Sequence, residues 1–191
     1  SVICSDKTGT LTQNEMTVRK VYCDGTEIEV TGVGYAPVGE FSKDTASVDM
    51  LLKIGVLCNS AFIKQENSQW KIIGDPTEGA LLTLAGKKGV FRDELLRSYK
   101  LISEIPFDTE RKMMTGIFKG PEDIFAAVKG APDIILNKCT HYLYNGEIKP
   151  LTQSMREQVA GENEALAGQA LRVLGMAYRV FPDVPSNLEP D

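Results

Sequence analysis

Residues 113–129 read Met113-Met114-Thr115-Gly116-Ile117-Phe118-Lys119, then Gly120-Pro121-Glu122-Asp123, then Ile124-Phe125-Ala126-Ala127-Val128-Lys129. Two apolar runs of strand length flank a Gly-Pro turn, where proline interrupts the ladder and glycine bends freely. The spacing predicts two neighbouring antiparallel strands. Residues 100–106 upstream and 171–180 downstream are runs of the same kind, and their close spacing predicts a meander.

Working outward, two further runs of β-formers are folded about dipeptides suited to a type I′ turn. Residues 18–23 and 26–30 surround Asp24-Gly25, and residues 142–151 surround Asn145-Gly146. Helical periodicity occupies 46–63, 76–88, 92–97, 132–138 and 152–170, with Leu51, Leu52, Ile54 and Leu57, or Leu81, Leu82 and Leu84, forming apolar faces. The mixture predicts an α+β fold. Neither an internal repeat nor a low-complexity segment is visible, and 181–191, with three prolines, reads as a linker.

At 191 residues the chain is sized for one domain with a fragment of a second. Hydrophobic residues at 42% and charged residues at 25% are ordinary for a globular protein. A net charge of −5 gives no general attraction for nucleic acid or anionic lipid, so phosphate binding must come from a local cluster of Lys and Arg. The four cysteines include no C-x-x-C pair and the single histidine is His141, so neither a zinc site nor a disulfide framework is implied. A reducing, cytosolic setting fits that usage. No run approaches the ~18 apolar residues of a membrane span, and the first residues lack the charged and apolar regions expected of a signal peptide. The expectation is a soluble piece of a larger protein.

Five short stretches carry chemistry. Residues 4–12 read Cys-Ser-Asp-Lys-Thr-Gly-Thr-Leu-Thr. The apolar Val2, Ile3 and Cys4 would end a buried strand and place Asp6 at its carboxyl end, where open α/β sheets bind ligands. A carboxylate there can attack a phosphoryl group while Lys7 and the small hydroxyl residues neutralise developing charge. In Gly74-Asp75-Pro76-Thr77-Glu78-Gly79-Ala80, Asp75 caps a helix, Pro76 suits its first position and Glu78 completes a capping box, which explains all three without a ligand. In residues 105–113, Phe107 precedes a charged turn and Lys112 follows five residues on. An exposed ring there can stack on a base and the lysine can meet phosphate, although a core phenylalanine is the alternative. Lys129-Gly130-Ala131-Pro132 ends a strand in a lysine, otherwise read as an edge charge, with Gly130 allowing close backbone approach. Arg172, taken alone, is a surface charge.

The string Asp6-Lys7-Thr8-Gly9-Thr10-Leu11-Thr12 resembles the phosphorylation signature of the P-type ion-pumping ATPases. The other four stretches resemble, in the same order, motifs of that family's nucleotide-binding domain, so the resemblance covers nearly the whole chain. It implies an antiparallel twisted sheet flanked by helices, with residues 1–17 a stub of the phosphorylation domain, 18–180 the nucleotide-binding domain and 181–191 the linker back. It further implies ATP and Mg²⁺ as cofactors. Glu78 would face the adenine amino group and Phe107 would stack on the base. Lys112, Lys129 and Arg172 would meet phosphate, and Gly130 would line the pocket. Asp6 would be the nucleophile, Lys7 would offset charge, and Asp6 with the Thr8 carbonyl would hold Mg²⁺. The implied partners are the remaining domains of a pump, at the cytoplasmic face of a membrane, and a transported cation.

Cys4-Ser5 before the aspartate and Gln13-Asn14-Glu15-Met16 after it look like type II pumps, most like calcium pumps. Thr109 departs from the arginine that calcium pumps of animal reticulum carry there. A haloacid-dehalogenase-type phosphatase shares the aspartate nucleophile but needs a later carboxylate motif of the Gly-Asp-Gly-x-Asn-Asp kind, which these residues lack. A non-catalytic nucleotide-binding module is the third reading.

Overall fold

A computed structural model describes residues 15–184, so the Asp6 stretch and residues 185–191 of the expected linker lie outside the described residues. Two short strands come first, β1 (Lys20–Cys23) and β2 (Thr26–Glu29), followed by α1 (Val48–Leu57). Next come β3 (Phe62–Glu66), β4 (Gln69–Ile73), α2 (Pro76–Gly86) and α3 (Arg92–Ser98). The meander follows as β5 (Lys100–Asp108), β6 (Met113–Lys119) and β7 (Ile124–Gly130). The remainder is α4 (Pro132–Lys138), β8 (His141–Tyr144), β9 (Glu147–Pro150), α5 (Gln153–Gly168) and β10 (Gly175–Phe181).

The α+β expectation holds. β5, β6 and β7 pair consecutively, and β10 joins the free side of β7, giving one four-stranded sheet with every pair antiparallel. Phe125, Ala127 and Lys129 alternate onto one face of β7. Their cross-strand partners Phe118, Gly116 and Met114, with Tyr178 and Met176, share it. Phe125, next to the β6–β7 turn, is stacked on Tyr178 with ring centroids 5.5 Å apart and met edge-on by Tyr99 at 5.9 Å.

Helix α1 is central because both of its faces are apolar. Ile54, Leu57 and the following Cys58 pack on Met114, Phe118, Phe125 and Ala127 of the sheet. Val48, Leu52 and Val56 turn the other way, onto Val21 and Ile28 of the first hairpin and Leu82 and Leu84 of α2. Burial of each such side chain is worth about 1.5–3 kcal/mol. Helix α4 packs on β10 and β7, and α5 on α4.

One helix is shorter than its periodicity predicts. The apolar pattern over 46–63 predicts a single helix, whereas α1 stops at Leu57 and residues 62–73 form the β3–β4 hairpin, absent from the sequence reading. Asn67 and Ser68 turn this hairpin with φ of 49° and 64°. Strand β10 starts at Gly175, so Leu171 and Arg172 belong to the loop before it, and Phe181 is its last residue rather than the start of a linker.

Both predicted type I′ turns form, with positive φ at Asp24, Gly25, Asn145 and Gly146. They also meet. The Asp24 carboxylate accepts from the Ser47 amide at 3.0 Å, the Ser47 hydroxyl at 2.5 Å and the Asn145 amide at 2.8 Å. One aspartate thus clasps the first hairpin, the residue preceding α1 and the β8–β9 turn.

Candidate functional site

The register sets Asp108, Met113, Gly130 and Gly175 in one row across the sheet. Phe107 immediately precedes Asp108, Lys112 precedes Met113, Lys129 precedes Gly130, and Arg172 stands three residues before Gly175. One end of the sheet therefore gathers five of the candidates, and α2 brings the sixth, Glu78, to it.

Helix α2 starts as its sequence predicts. The Asp75 carboxylate caps it, accepting from the amides of Thr77 at 2.8 Å and Glu78 at 3.2 Å. Burial raises the Asp75 pKa, but the hydrogen bonds from Thr77 and Glu78, aided by the charge of Arg172, outweigh that and hold it below the usual value. Arg172 donates to the Thr77 hydroxyl at 3.3 Å, which fixes the loop before β10 against the start of this helix.

The capping box is not closed in the usual way, because Glu78 turns away from the helix start. Its Oε1 lies 2.5 Å from the Lys129 ammonium, and its Oε2 accepts from the Ser60 amide at 3.0 Å. The side chains of Lys129 and Glu78 are 9% and 16% exposed, so this is an ion pair largely out of water. It ties α2 to the middle of the sheet, since Lys129 pairs across β7 with both Met114 and Met176. Cys58 lies in the same environment, donating to the Met114 carbonyl at 3.4 Å, and burial pushes its thiol up to about 11.

Phe107 is 59% exposed, which removes the core reading. It falls where the β5–β6 register shifts between Ile105 and Asp108, so the ladder is interrupted beneath the ring. Asp108 then turns the chain by accepting from the amides of Glu110 and Arg111 at 2.8 and 2.9 Å, and Lys112 closes the turn at φ 53°. The Lys112 carbonyl accepts from the Ala131 amide at 2.9 Å, and the Lys112 side chain is left exposed. Gly130 is required by packing. A Cβ there would stand 2.4 Å from the Lys112 carbonyl oxygen and 2.6 Å from the Met113 Cα, so its close approach is to the neighbouring strand.

The arrangement offers an exposed ring, three cationic side chains and a carboxylate near a helix N-terminus, a set suited to a planar base bearing phosphates. Two open cavities of about 360 Å³ lie elsewhere, one lined by residues such as Phe41 and Lys88, the other by Tyr35, Trp70 and Pro76. The first also sets Lys43 and Lys87 beside the Phe41 ring, but neither cavity is lined by Glu78, Phe107, Lys112, Lys129, Gly130 or Arg172. Among the described residues no group of three or more His, Cys, Asp or Glu side chains is placed to hold a metal ion. Asp6, Lys7 and Thr8 lie outside the described residues.

Sequence reading missed Asn59 and Ser60, which hold Glu78 from the turn after α1. A polar Asn-Ser pair after an apolar helical run was the available signal, hidden because the run was read on to residue 63.

The chain is 38% identical over 188 residues to the calcium-transporting ATPase of Bacillus subtilis, which covers 94% of this chain and 21% of that protein. It is 38% identical over 191 residues to calcium-transporting ATPase 1 of Bacillus cereus, covering 100% of this chain and 20% of that one. With the Bos taurus calcium-transporting ATPase type 2C member 1 it shares 39% over 190 residues, 93% of this chain and 19% of that protein. It thus spans about a fifth of the length of the curated relatives it matches. The family model described as P-type ATPase, cytoplasmic domain N, matches residues 47–190. On that match and those identities, the chain belongs to the P-type cation-transporting ATPases and carries their cytoplasmic domain N.

Proposed function

We propose that this domain binds ATP at the end of the four-stranded sheet, as part of a pump that couples ATP hydrolysis, through an aspartyl-phosphate on Asp6, to cation transport. The observation that carries this reading is the Glu78–Lys129 pair, 2.5 Å apart between α2 and β7, with the exposed Phe107 and Lys112 at the same sheet end. Phe107 stacks on adenine, whose exocyclic amine donates to Glu78. Lys112, Lys129 and Arg172 face the phosphates, and Gly130 keeps the strand ends close enough for Lys112 and Lys129 to act together.

Residues 18–180 form the nucleotide-binding domain and residues 1–17 belong to the phosphorylation domain. In the assembled pump Asp6 accepts the γ-phosphoryl group and Lys7 offsets its charge. Asp6 and the Thr8 carbonyl would hold Mg²⁺, which when bound would supply charge neutralisation at the phosphate oxygens. The named relatives transport calcium, and calcium is the cation proposed here. No helix among the described residues is long and apolar enough to cross a membrane. A place at the cytoplasmic face, joined to membrane-spanning, actuator and phosphorylation domains, accords with that.

The test is an ATP titration followed by NMR and calorimetry. ATP is expected to shift the resonances of Phe107, Glu78 and Lys129. The Phe107→Ala chain is expected to lose about 1–3 kcal/mol of binding, roughly five- to 150-fold in Kd. Equal affinity in the two chains would overturn the stacking role. In the intact pump, phosphoenzyme that persists in Asp6→Asn would overturn the assignment of the nucleophile.

A further inference from the structure

Asn59 is 1% exposed, and its side chain does more than reach the Glu78 carbonyl. It stands where α1 ends. In a continuing helix the Gly55 carbonyl would receive the amide of residue 59, but that amide donates instead to Leu57 at 3.0 Å. The Asn59 side chain replaces it, its Nδ2 donating to the Gly55 carbonyl at 3.0 Å. The same Nδ2 donates to the Glu78 carbonyl at 3.0 Å, and Oδ1 accepts from the Ala61 amide at 2.9 Å. The next residue, Ser60, gives its amide to Glu78 Oε2 at 3.0 Å.

We infer that Asn59 is the positioning residue of the nucleotide site, aiming the Glu78 carboxylate by holding both its backbone and the turn that donates to its side chain. This rests on the reading of Glu78 as a nucleotide contact. The chemistry is specific to a carboxamide of this length, since two carbonyls must receive donors while one amide receives an acceptor. A carboxylate cannot donate, a serine has one hydrogen, and a glutamine is one methylene too long. With Ser60 on one oxygen and Lys129 on the other, Glu78 is held in a fixed orientation, so an adenine amine meets an acceptor already in place.

A merely structural asparagine would alter stability without regard to Glu78, whereas a positioning residue alters affinity only through it. A double-mutant cycle separates the two. ATP affinity is measured by calorimetry for the 191-residue chain, Asn59→Ser, Glu78→Gln and the double variant, at a temperature where each is folded by circular dichroism. Asn59→Ser is expected to weaken ATP about tenfold when Glu78 is intact and less than about twofold in the Glu78→Gln background. The same factor in both backgrounds overturns the inference. If Asn59→Ser does not fold, Asn59→Gln, which keeps the amide but displaces it, is put through the same cycle with the same expectation. Failure of the unaltered chain to bind ATP overturns the nucleotide reading and this inference with it, while binding with an additive cycle overturns only the role of Asn59.

Discussion

Lys129 and Glu78 partner each other where water scarcely reaches, so neither charge is free to be deleted alone. Removing one member of such a pair leaves the other charge with too few partners in a poorly solvated place, which typically costs about 3–5 kcal/mol in full burial. Glu78 retains the Ser60 amide and some solvent, so Lys129→Met is expected near the lower end, about 3 kcal/mol, by urea denaturation. Adding Glu78→Gln should recover much of that loss, because no unpaired charge then remains. Additive losses would show that the two side chains are not coupled. On the proposed reading, a phosphate reaching Lys129 would compete with the Glu78 carboxylate, which the Ser60 amide would still hold, so binding there would exchange one partner of the ammonium for another.

Among the elements, the two hairpin turns do more than reverse the chain, since Asp24 of one receives hydrogen bonds from Ser47 and from Asn145 of the other. Burial raises the Asp24 pKa, but the bonds from Ser47, Asn145 and Thr45 outweigh it and the carboxyl is held below its ordinary 3.8. A carboxyl depressed in the folded state contributes stability that is full above its unfolded pKa and fades as pH falls through the folded value. Asp24→Asn is therefore expected to cost about 1–2 kcal/mol at pH 7 and to flatten the loss of stability below about pH 4, measured as urea midpoints against pH. An unchanged acid limb would assign the sensitivity to the other depressed carboxyls, Asp44, Glu66, Asp75 and Asp108. These turns were legible in the sequence because a two-residue loop with positive φ strongly favours Asp-Gly or Asn-Gly. The meander was legible because its buried strands are continuous apolar runs. The β3–β4 hairpin was not, since Lys64, Gln65 and Glu66 face Lys71, Trp70 and Gln69 without an apolar rhythm. What ends α1 before it is the side chain of Asn59 bonding to Gly55 and Glu78, and bonds across the fold carry no local signature. The candidate site was legible as motifs, whereas the pairing of Glu78 with Lys129, 51 residues apart, belongs to the tertiary structure alone.

For the whole molecule, binding and turnover are expected to separate. Phosphoryl transfer depends almost wholly on aligning nucleophile, metal and phosphate, and this chain spans only about a fifth of the relatives it matches. The 191-residue chain is therefore expected to bind ATP weakly, with Kd on the order of 0.1–1 mM, and to release no phosphate above the Asp6→Asn background when Mg²⁺ is present. Turnover dependent on Asp6 would mean that these residues already assemble a phosphorylation site. The clasp at Asp24 has a consequence in time as well. Its bond to Asn145 joins residues 121 apart in sequence, so closing it early would demand the ordering of a very long loop. The local pairs of the meander can form first, and contacts of such wide separation form mainly after the rate-limiting barrier. Asp24→Ala is accordingly expected to leave the refolding rate within about twofold while unfolding quickens roughly tenfold, as read from the two limbs of a stopped-flow chevron. The clasp that closes last would then also be the first to open, so one aspartate outside the proposed nucleotide site would govern how long the folded domain lasts rather than how quickly it arises.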